Sequence, residues 1–302
     1  MRQRTIAEKI TCTGIGLHSG RQVQMTLHPA RAETGIVFVR SDLPRPVEIP
    51  ATPASLCRTH LATTLGHGAE TVDTVEHLLA AFYGLGIDNA RVEVEGPELP
   101  GMDGSSATFA HRIRAAGSFE QDVPRRVLRV RRPIEIRDGD RRIRAEPALG
   151  LRISYEIDFD HPCIGHQSLR DFAVYEESFE REIASARTFG FTREVLALWR
   201  AGRARGANLD NTVVLGETRV LNRGGLRFAD EFVRHKVLDL LGDLALLGSR
   251  LQGHVRVERG GHALHQRLVA KLASVELAER VESALRAASG HDIQPRVAGA
   301  LR

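Results

Sequence analysis

Apolar positions along the chain follow two periods. Short alternating runs bounded by Gly and Pro predict strands over residues 4–11, 23–28 and 35–40. Over residues 71–85, Val75, Leu78, Leu79 and Phe82 recur at helical spacing. A strand over 91–95 and a helix over 105–116 follow. Residues 122–125 carry a proline and no pattern, and are read as a boundary. Beyond it the order repeats. Residues 126–137 and 141–146 predict a hairpin around Asp138-Gly139-Asp140. Residues 151–159 predict a strand, 175–186 a helix and 192–201 a short helix. A long amphipathic helix over 230–247, a strand over 254–259 and a closing helix over 264–288 complete the pattern. Strands followed by helices, twice, predict an α+β fold of two tandem similar domains, residues 1–121 and 126–302, with no sequence repeat between the halves.

Composition narrows the class. A chain of 302 residues is long enough for two cores. The most apolar segment, 238–247, is broken by Asp239 and Asp243, so no transmembrane helix is expected. Met1-Arg2-Gln3-Arg4 opens without an apolar stretch, and no signal peptide is expected. Three widely spaced cysteines suit a reducing cytoplasm. A net charge of +4 admits nucleic acid, an anionic membrane surface or a phosphorylated metabolite as partner. Of 42 basic residues only Lys9, Lys236 and Lys271 are lysine. Lys236 is either a chance retention on a solvated face or an ammonium kept for its chemistry. Arg alternates with Val, Leu and Ile over 125–144, as in a half-solvated sheet. No aromatic stands there to stack on bases, which argues against single-strand binding.

Candidate chemistry sits on two predicted helices. His235 and Asp239 are four residues apart and share one helix face. Far upstream, Glu76-His77 adds an imidazole and a spare carboxylate. Two His, one Asp and a free carboxylate are the inventory of a catalytic zinc site with one position open to water. Each motif alone has an ordinary reading: Asp73-x-x-Glu76 as a capping box, His235-x-x-x-Asp239 as a surface hydrogen-bonded pair. Asp243 lies one turn further on in an apolar run and needs a polar partner if buried. His262, after Gly260-Gly261, is the candidate. A carboxylate-supported imidazole stays protonated more readily and suits a general acid. A loop histidine in solvent is the alternative. Cys57, His60 and His67 match no standard metal spacing, and His265 is expected at the surface.

The motifs Thr13-Gly14-Ile15-Gly16-Leu17-His18-Ser19-Gly20, Thr74-Val75-Glu76-His77-Leu78, Met102-Asp103-Gly104-Ser105, Ala186-Arg187-Thr188-Phe189-Gly190-Phe191, Phe232-Val233-Arg234-His235-Lys236-Val237-Leu238-Asp239 and Gly261-His262-Ala263-Leu264 occur in that order. With them the chain closely resembles, over essentially its whole length, the UDP-3-O-acyl-N-acetylglucosamine deacetylases, zinc amidases of early lipid A synthesis in Gram-negative bacteria. The resemblance implies two domains, each of helices packed on a β-sheet, facing each other across the active site, with small inserts near 51–68 and 189–221. It implies zinc ligands at His77, His235 and Asp239, with Fe²⁺ also compatible with that set. It puts the general base at Glu76, the acid or electrostatic partner at His262 and its supporting carboxylate at Asp243. An oxyanion-stabilising hydroxyl falls at Thr188, and a substrate-side lysine at Lys236. Phe189, Phe191 and Leu17 become substrate contacts, the phenylalanines beside the insert that holds the acyl chain. Leu196, Leu198 and Trp199 in that insert are either walls for the chain or packed core.

The implied partner is a small-molecule UDP-acyl-sugar, with no nucleic acid and no stable membrane insertion, handled by a cytoplasmic monomer. Another metal-dependent amidase and a basic nucleic-acid-binding protein stand as alternatives. One departure is Ala62-Thr63-Thr64, where some family members carry cysteine.

Overall fold

The computed structural model describes residues 1–289; the end of the expected 126–302 span lies outside the described residues. Strands β1 (Arg2–Ile6), β2 (Ile10–Ile15), β3 (Gln22–Pro29), β4 (Ile36–Arg40), β5 (Val47–Pro50), β6 (Leu56–Arg58), β7 (Thr64–His67) and β8 (Glu70–Val72) precede helix α1 (Glu76–Gly84). Strand β9 (Ala90–Val94), helix α2 (Ala107–Ala116) and β10 (Ser118–Pro124) follow. Then come β11 (Val127–Arg129), β12 (Ile134–Asp138), β13 (Arg141–Glu146), β14 (Leu151–Phe159), β15 (Gly165–Ala173) and α3 (Glu176–Glu182). The chain continues through β16 (Phe189–Phe191), α4 (Val195–Arg200), β17 (Val213–Leu215), α5 (Glu231–Ala245), β18 (Arg250–Glu258) and α6 (His262–Ser289). Helices combine with several mainly antiparallel sheets, so the fold is α+β as expected.

Two sheets dominate. The first has the order β2-β3-β9-β4-β5, and the second the path β12-β13-β18-β14-β15. Along each path, the inner pair formed by the last strand with the third is parallel and the other pairs are antiparallel; off the second path, β11 also pairs in parallel with β18. Strand order and pairing sense therefore match between the halves, which no sequence similarity announced. A small sheet, β6-β7-β8, rises in the region of the first expected insert, and β16 with β17 pairs in parallel in the second.

Helices α1 and α5 pack against each other, and all nine residues of α1 are buried. In α5, twelve are buried: Glu231, Phe232, Val233, His235, Val237, Leu238, Asp239, Leu240, Leu241, Gly242, Asp243 and Leu244. The expectation of an amphipathic helix is thus corrected. This helix has neighbours on most sides, α1, α6, β14 and β15, and so is buried nearly all round, its charged residues included. Glu231 in its first turn complements the positive helix end. Gly248, at φ +62°, follows its last turn.

At the crossing of the two helices Gly242 lies against the main chain of Glu76, and an added Cβ would collide with the Glu76 carbonyl. Gly242→Ala is expected to lower stability by about 2 kcal/mol, because overpacking against backbone outweighs the better helix propensity of alanine. Chemical denaturation reads this directly; an unchanged midpoint would show that the crossing tolerates a methyl group.

Several boundaries differ from the periodicity. The expected strand over 4–11 is two strands in different sheets, β1 paired with β10 and β2 with β3. Residues 122–124, expected to lack pattern, belong to β10. The expected strand over 126–137 is interrupted between β11 and β12, while the β12–β13 hairpin turns after Asp138 as expected. The helix expected from residue 71 begins at Glu76, since 70–72 form an edge of the small sheet. Strand β15 was missed: most of its residues are only partly buried, so hydrophobic alternation is weak. Among the described residues no helix is long and apolar enough to cross a membrane.

Candidate active site

Glu76 and His77 are delivered by a kink. Thr74 has φ +58°, a left-handed conformation that is costly for a β-branched residue. It is held there from two sides. Its hydroxyl donates to Glu98 Oε1 at 3.0 Å and its amide to Asp73 Oδ1 at 3.1 Å. Asp73 also accepts from the Thr64 hydroxyl and pairs with Arg203. The capping-box reading is therefore corrected: Glu76 is already the first helical residue, so the box cannot close around it. Ser106 donates its hydroxyl to the His77 carbonyl at 2.6 Å and ties α1 to the start of α2.

From the other side, α5 presents His235 and Asp239. His235 Nδ1 lies 3.0 Å from the Ala186 carbonyl. A proton on Nδ1 leaves the Nε2 lone pair for the site. His235 Nε2 is 3.3 Å and His77 Nε2 3.9 Å from Asp239 Oδ1, and the two rings meet edge to face at 5.1 Å. All three side chains are buried. Burial lowers both imidazole pKa values, His77 to about 3, so each ring is a neutral donor. Burial would raise the pKa of Asp239, but the neighbouring His235 ring and the Lys236 ammonium hold it well below the usual carboxylate range. A tetrahedral ion bonded at about 2.0–2.1 Å needs ligand atoms about 3.4 Å apart. Two neutral imidazoles and one carboxylate at these separations fit a divalent cation.

A second set surrounds the first. Glu76 Oε2 accepts the Thr63 amide at 3.0 Å. Its Oε1 lies 3.8 Å from His262 Nε2, which is also 3.9 Å from Asp239 Oδ2. Burial pushes the Glu76 carboxyl up to about 8, with His262 opposing and Asp239 adding to the rise. A cation beside it favours the ionised form and works against that rise. His262 Nδ1 meets Asp243 Oδ2 at 2.8 Å. Burial alone would lower the His262 pKa; the charges of Asp243 and Asp239 overcome it and carry it to about 9.

Asp243 is fully buried and accepts from four groups. They are the Thr63 hydroxyl at 2.6 Å, the Gln266 amide at 2.8 Å, and the Nδ1 atoms of His262 and His265, each at 2.8 Å. His265 is thus not on the surface, as expected from sequence, but has no solvent exposure at all. Thr63 was also missed. Its amide holds Glu76 and its hydroxyl Asp243, so the loop that lacks cysteine touches both halves of the site. No periodicity marks a loop residue that acts through its backbone.

The 186–191 segment borders the triad. Thr188 is partly buried; its amide donates to the Gly104 carbonyl and its carbonyl accepts from Val213. Arg187 and Glu231 form a buried ion pair that fastens this loop to the start of α5. Phe189 packs on Phe232 and against His235, and Phe191 stacks near Phe159 and His161. Lys236 Nζ donates to Asp239 Oδ2 at 2.6 Å and lies 5.7 Å from the Phe189 ring centroid. Leu17 is buried, and its carbonyl accepts from Gly206 in the insert. Leu196 and Trp199, on α4, are 65% and 52% exposed, so the reading of a packed core there is corrected.

Lys236 also lines a cavity of about 590 Å³ with Arg141, Arg259, Phe159 and three aspartates. Its arginines were not singled out by sequence, since arginine is everywhere in this chain. Elsewhere on the second sheet, Arg137, Arg142, Arg144 and Arg256 pair with Glu135, Glu258 and Glu146, the pattern of a half-solvated sheet.

The family described as UDP-3-O-acyl N-acetylglycosamine deacetylase matches residues 3–274. A protein of Anaeromyxobacter sp. (strain Fw109-5) named UDP-3-O-acyl-N-acetylglucosamine deacetylase is 51% identical over 270 residues, 89% of this chain and 88% of its own length. Its namesake in Myxococcus xanthus (strain DK1622) is 50% identical over 272 residues, 90% and 86%. That of Oleidesulfovibrio alaskensis (strain ATCC BAA-1058 / DSM 17464 / G20) is 48% identical over 308 aligned residues, 99% and 98%.

Proposed function

The chain belongs to the UDP-3-O-acyl-N-acetylglucosamine deacetylase family, and we propose that His77, His235 and Asp239 hold a zinc ion with which it hydrolyses the acetamide of that substrate, releasing acetate, in lipid A biosynthesis. The observation that carries this reading is the meeting of α1, α5 and the start of α6, which gathers three metal donors, a free carboxylate and a carboxylate-supported imidazole around one point. A zinc ion bound there supplies a lowered pKa to bound water and polarises the amide carbonyl. Fe²⁺ is the alternative occupant of the same donors.

Glu76 takes the proton of the attacking water, its Oε2 fixed by Thr63 so that Oε1 is the free oxygen. His262, whose pKa the carboxylates of Asp243 and Asp239 raise and whose ring Asp243 braces, gives its Nε2 proton to the departing amine. An amide needs both, because it is a poor electrophile with a poor leaving group. The Thr188 hydroxyl shares the developing oxyanion. Lys236 is the proposed substrate-side ammonium; it opens onto the cavity of Arg141 and Arg259, where Arg259 is paired with Asp140 and Asp158. The exposed apolar side chains of α4 suit the acyl chain. The reading extends to two units, 1–121 and 126–302, and the matching strand orders support it. The substrate is small, and the cytoplasm is the proposed compartment.

The deciding experiment is exhaustive chelation followed by zinc or anaerobic Fe²⁺ restoration, with acylated and unacylated UDP-sugars as substrates. Turnover is expected to vanish, to return with metal and to require the acyl group. Full activity without metal overturns the mechanism. His262→Ala is expected to keep its metal and lose about 100-fold in kcat, with a smaller change in KM. Metal analysis beside steady-state kinetics checks it, and an unchanged kcat removes His262 from proton transfer.

A further inference from the structure

His265 lies outside the proposed chemistry, yet it occupies the same carboxylate as His262. Resting on the reading that His262 serves the leaving group, we propose that His265 is a positioning residue: with Tyr155 behind it, it fixes the Asp243 carboxylate so that the His262 ring is aimed into the site.

Asp243 Oδ2 is 2.8 Å from Nδ1 of both histidines. An ionised carboxylate only accepts, so both Nδ1 atoms must carry hydrogen. Nε2 of His265 is then free to accept, and the Tyr155 hydroxyl stands 2.9 Å from it. The order is fixed end to end: Tyr155 Oη–H to His265, His265 Nδ1–H to Asp243, His262 Nδ1–H to Asp243. Tyr155 and His265 are essentially without exposure, so water does not compete for these bonds. The opposite oxygen, Oδ1, takes the Thr63 hydroxyl and the Gln266 amide. The carboxylate is therefore held from both sides and cannot rotate away from His262 without losing a buried bond.

The local backbone is built around this stack. Gly260 lies over it: a Cβ there would come within 2.7 Å of the Tyr155 hydroxyl and 3.3 Å of His265 Nε2. The His265 amide, in turn, bonds the Gly261 carbonyl. The turn that presents His262 and the ring that orients its carboxylate are thus one unit. A residue placed merely to fill the core has no need of two polar partners in line.

The first test is made on the metal-loaded wild-type protein by nitrogen-15 NMR of the histidine rings. His265 is expected as the neutral Nδ1–H form with an unprotonated, hydrogen-bonded Nε2. An Nε2–H form or a doubly protonated ring overturns the proposal. Kinetics form the second arm. His265→Leu is expected to lower kcat about ten-fold at unchanged metal content and nearly unchanged KM, the range seen when an outer partner is lost. His265→Asn, whose amide nitrogen can take the place of Nδ1, is expected to restore most of that loss. Wild-type kcat in the leucine variant, or an asparagine variant as impaired as it, overturns the proposal. If the leucine variant does not fold, the wild-type NMR and the asparagine variant still decide. Failure of the deacetylase reading is distinct, for then the wild-type protein itself has no turnover.

Discussion

Asp239→Ala is expected to yield a folded protein that binds no stoichiometric metal and has no measurable turnover. Asp239 is the sole carboxylate of the proposed ligand set, and the two histidines that remain are neutral. Its loss also frees Lys236, whose ammonium lies 2.6 Å from the carboxylate, so a cation would be left facing the place where another cation must bind. Both effects act against the metal. Losing a mere outer partner costs about 10–100-fold in affinity, so a missing anionic ligand with an exposed ammonium behind it costs more. Elemental analysis after dialysis, alongside a thermal melt, checks the prediction. A folded variant with one equivalent of zinc would falsify the ligand assignment.

For Glu76 the opposite split is expected. Glu76→Gln should keep the metal and lose about 10²–10⁴ in kcat, the range for a missing general base. Glutamine is the cleaner choice because its carbonyl can still accept the buried Thr63 amide. In Glu76→Ala that amide is stranded, adding about 1–3 kcal/mol of instability to the same kinetic loss. Metal content, kcat and the denaturation midpoint of both variants separate the two contributions. Equal kcat in wild type and glutamine variant would remove Glu76 from the chemistry.

The parts of this site that sequence disclosed are those that depend on local geometry. A residue and its fourth neighbour share a helix face whatever else the chain does, so His235 and Asp239 were legible, as was the polar demand of Asp243. Glu76 and His77 were legible as a pair, but the approach to them was not. The apolar period runs on through residues 71–75 although β8 and the left-handed Thr74 occupy them. Tertiary pairing overrode the local preference there.

His265, on the face of the closing helix, was expected in solvent, and nothing in the sequence signals what covers it. The start of α6 is enclosed, and Asp243 and Tyr155 reach it from other elements. Thr63 carries no pattern of its own, and its importance comes from contacts with residues 13 and 180 positions away. The shared strand order of the halves lies in pairing partners, which single-chain periodicity does not record.

The α1–α5 crossing has one more consequence. On the proposed ligand set, one donor comes from the first half of the chain and two from the second, so the ion is a rivet between them as well as a reagent. Occupancy then feeds thermal resistance by mass action: about 2.7 kcal/mol when free metal stands at 100 times its dissociation constant, and nothing when it is scarce. A cell short of the metal would forfeit this protein twice over, first its turnover and then its resistance to heat and proteases.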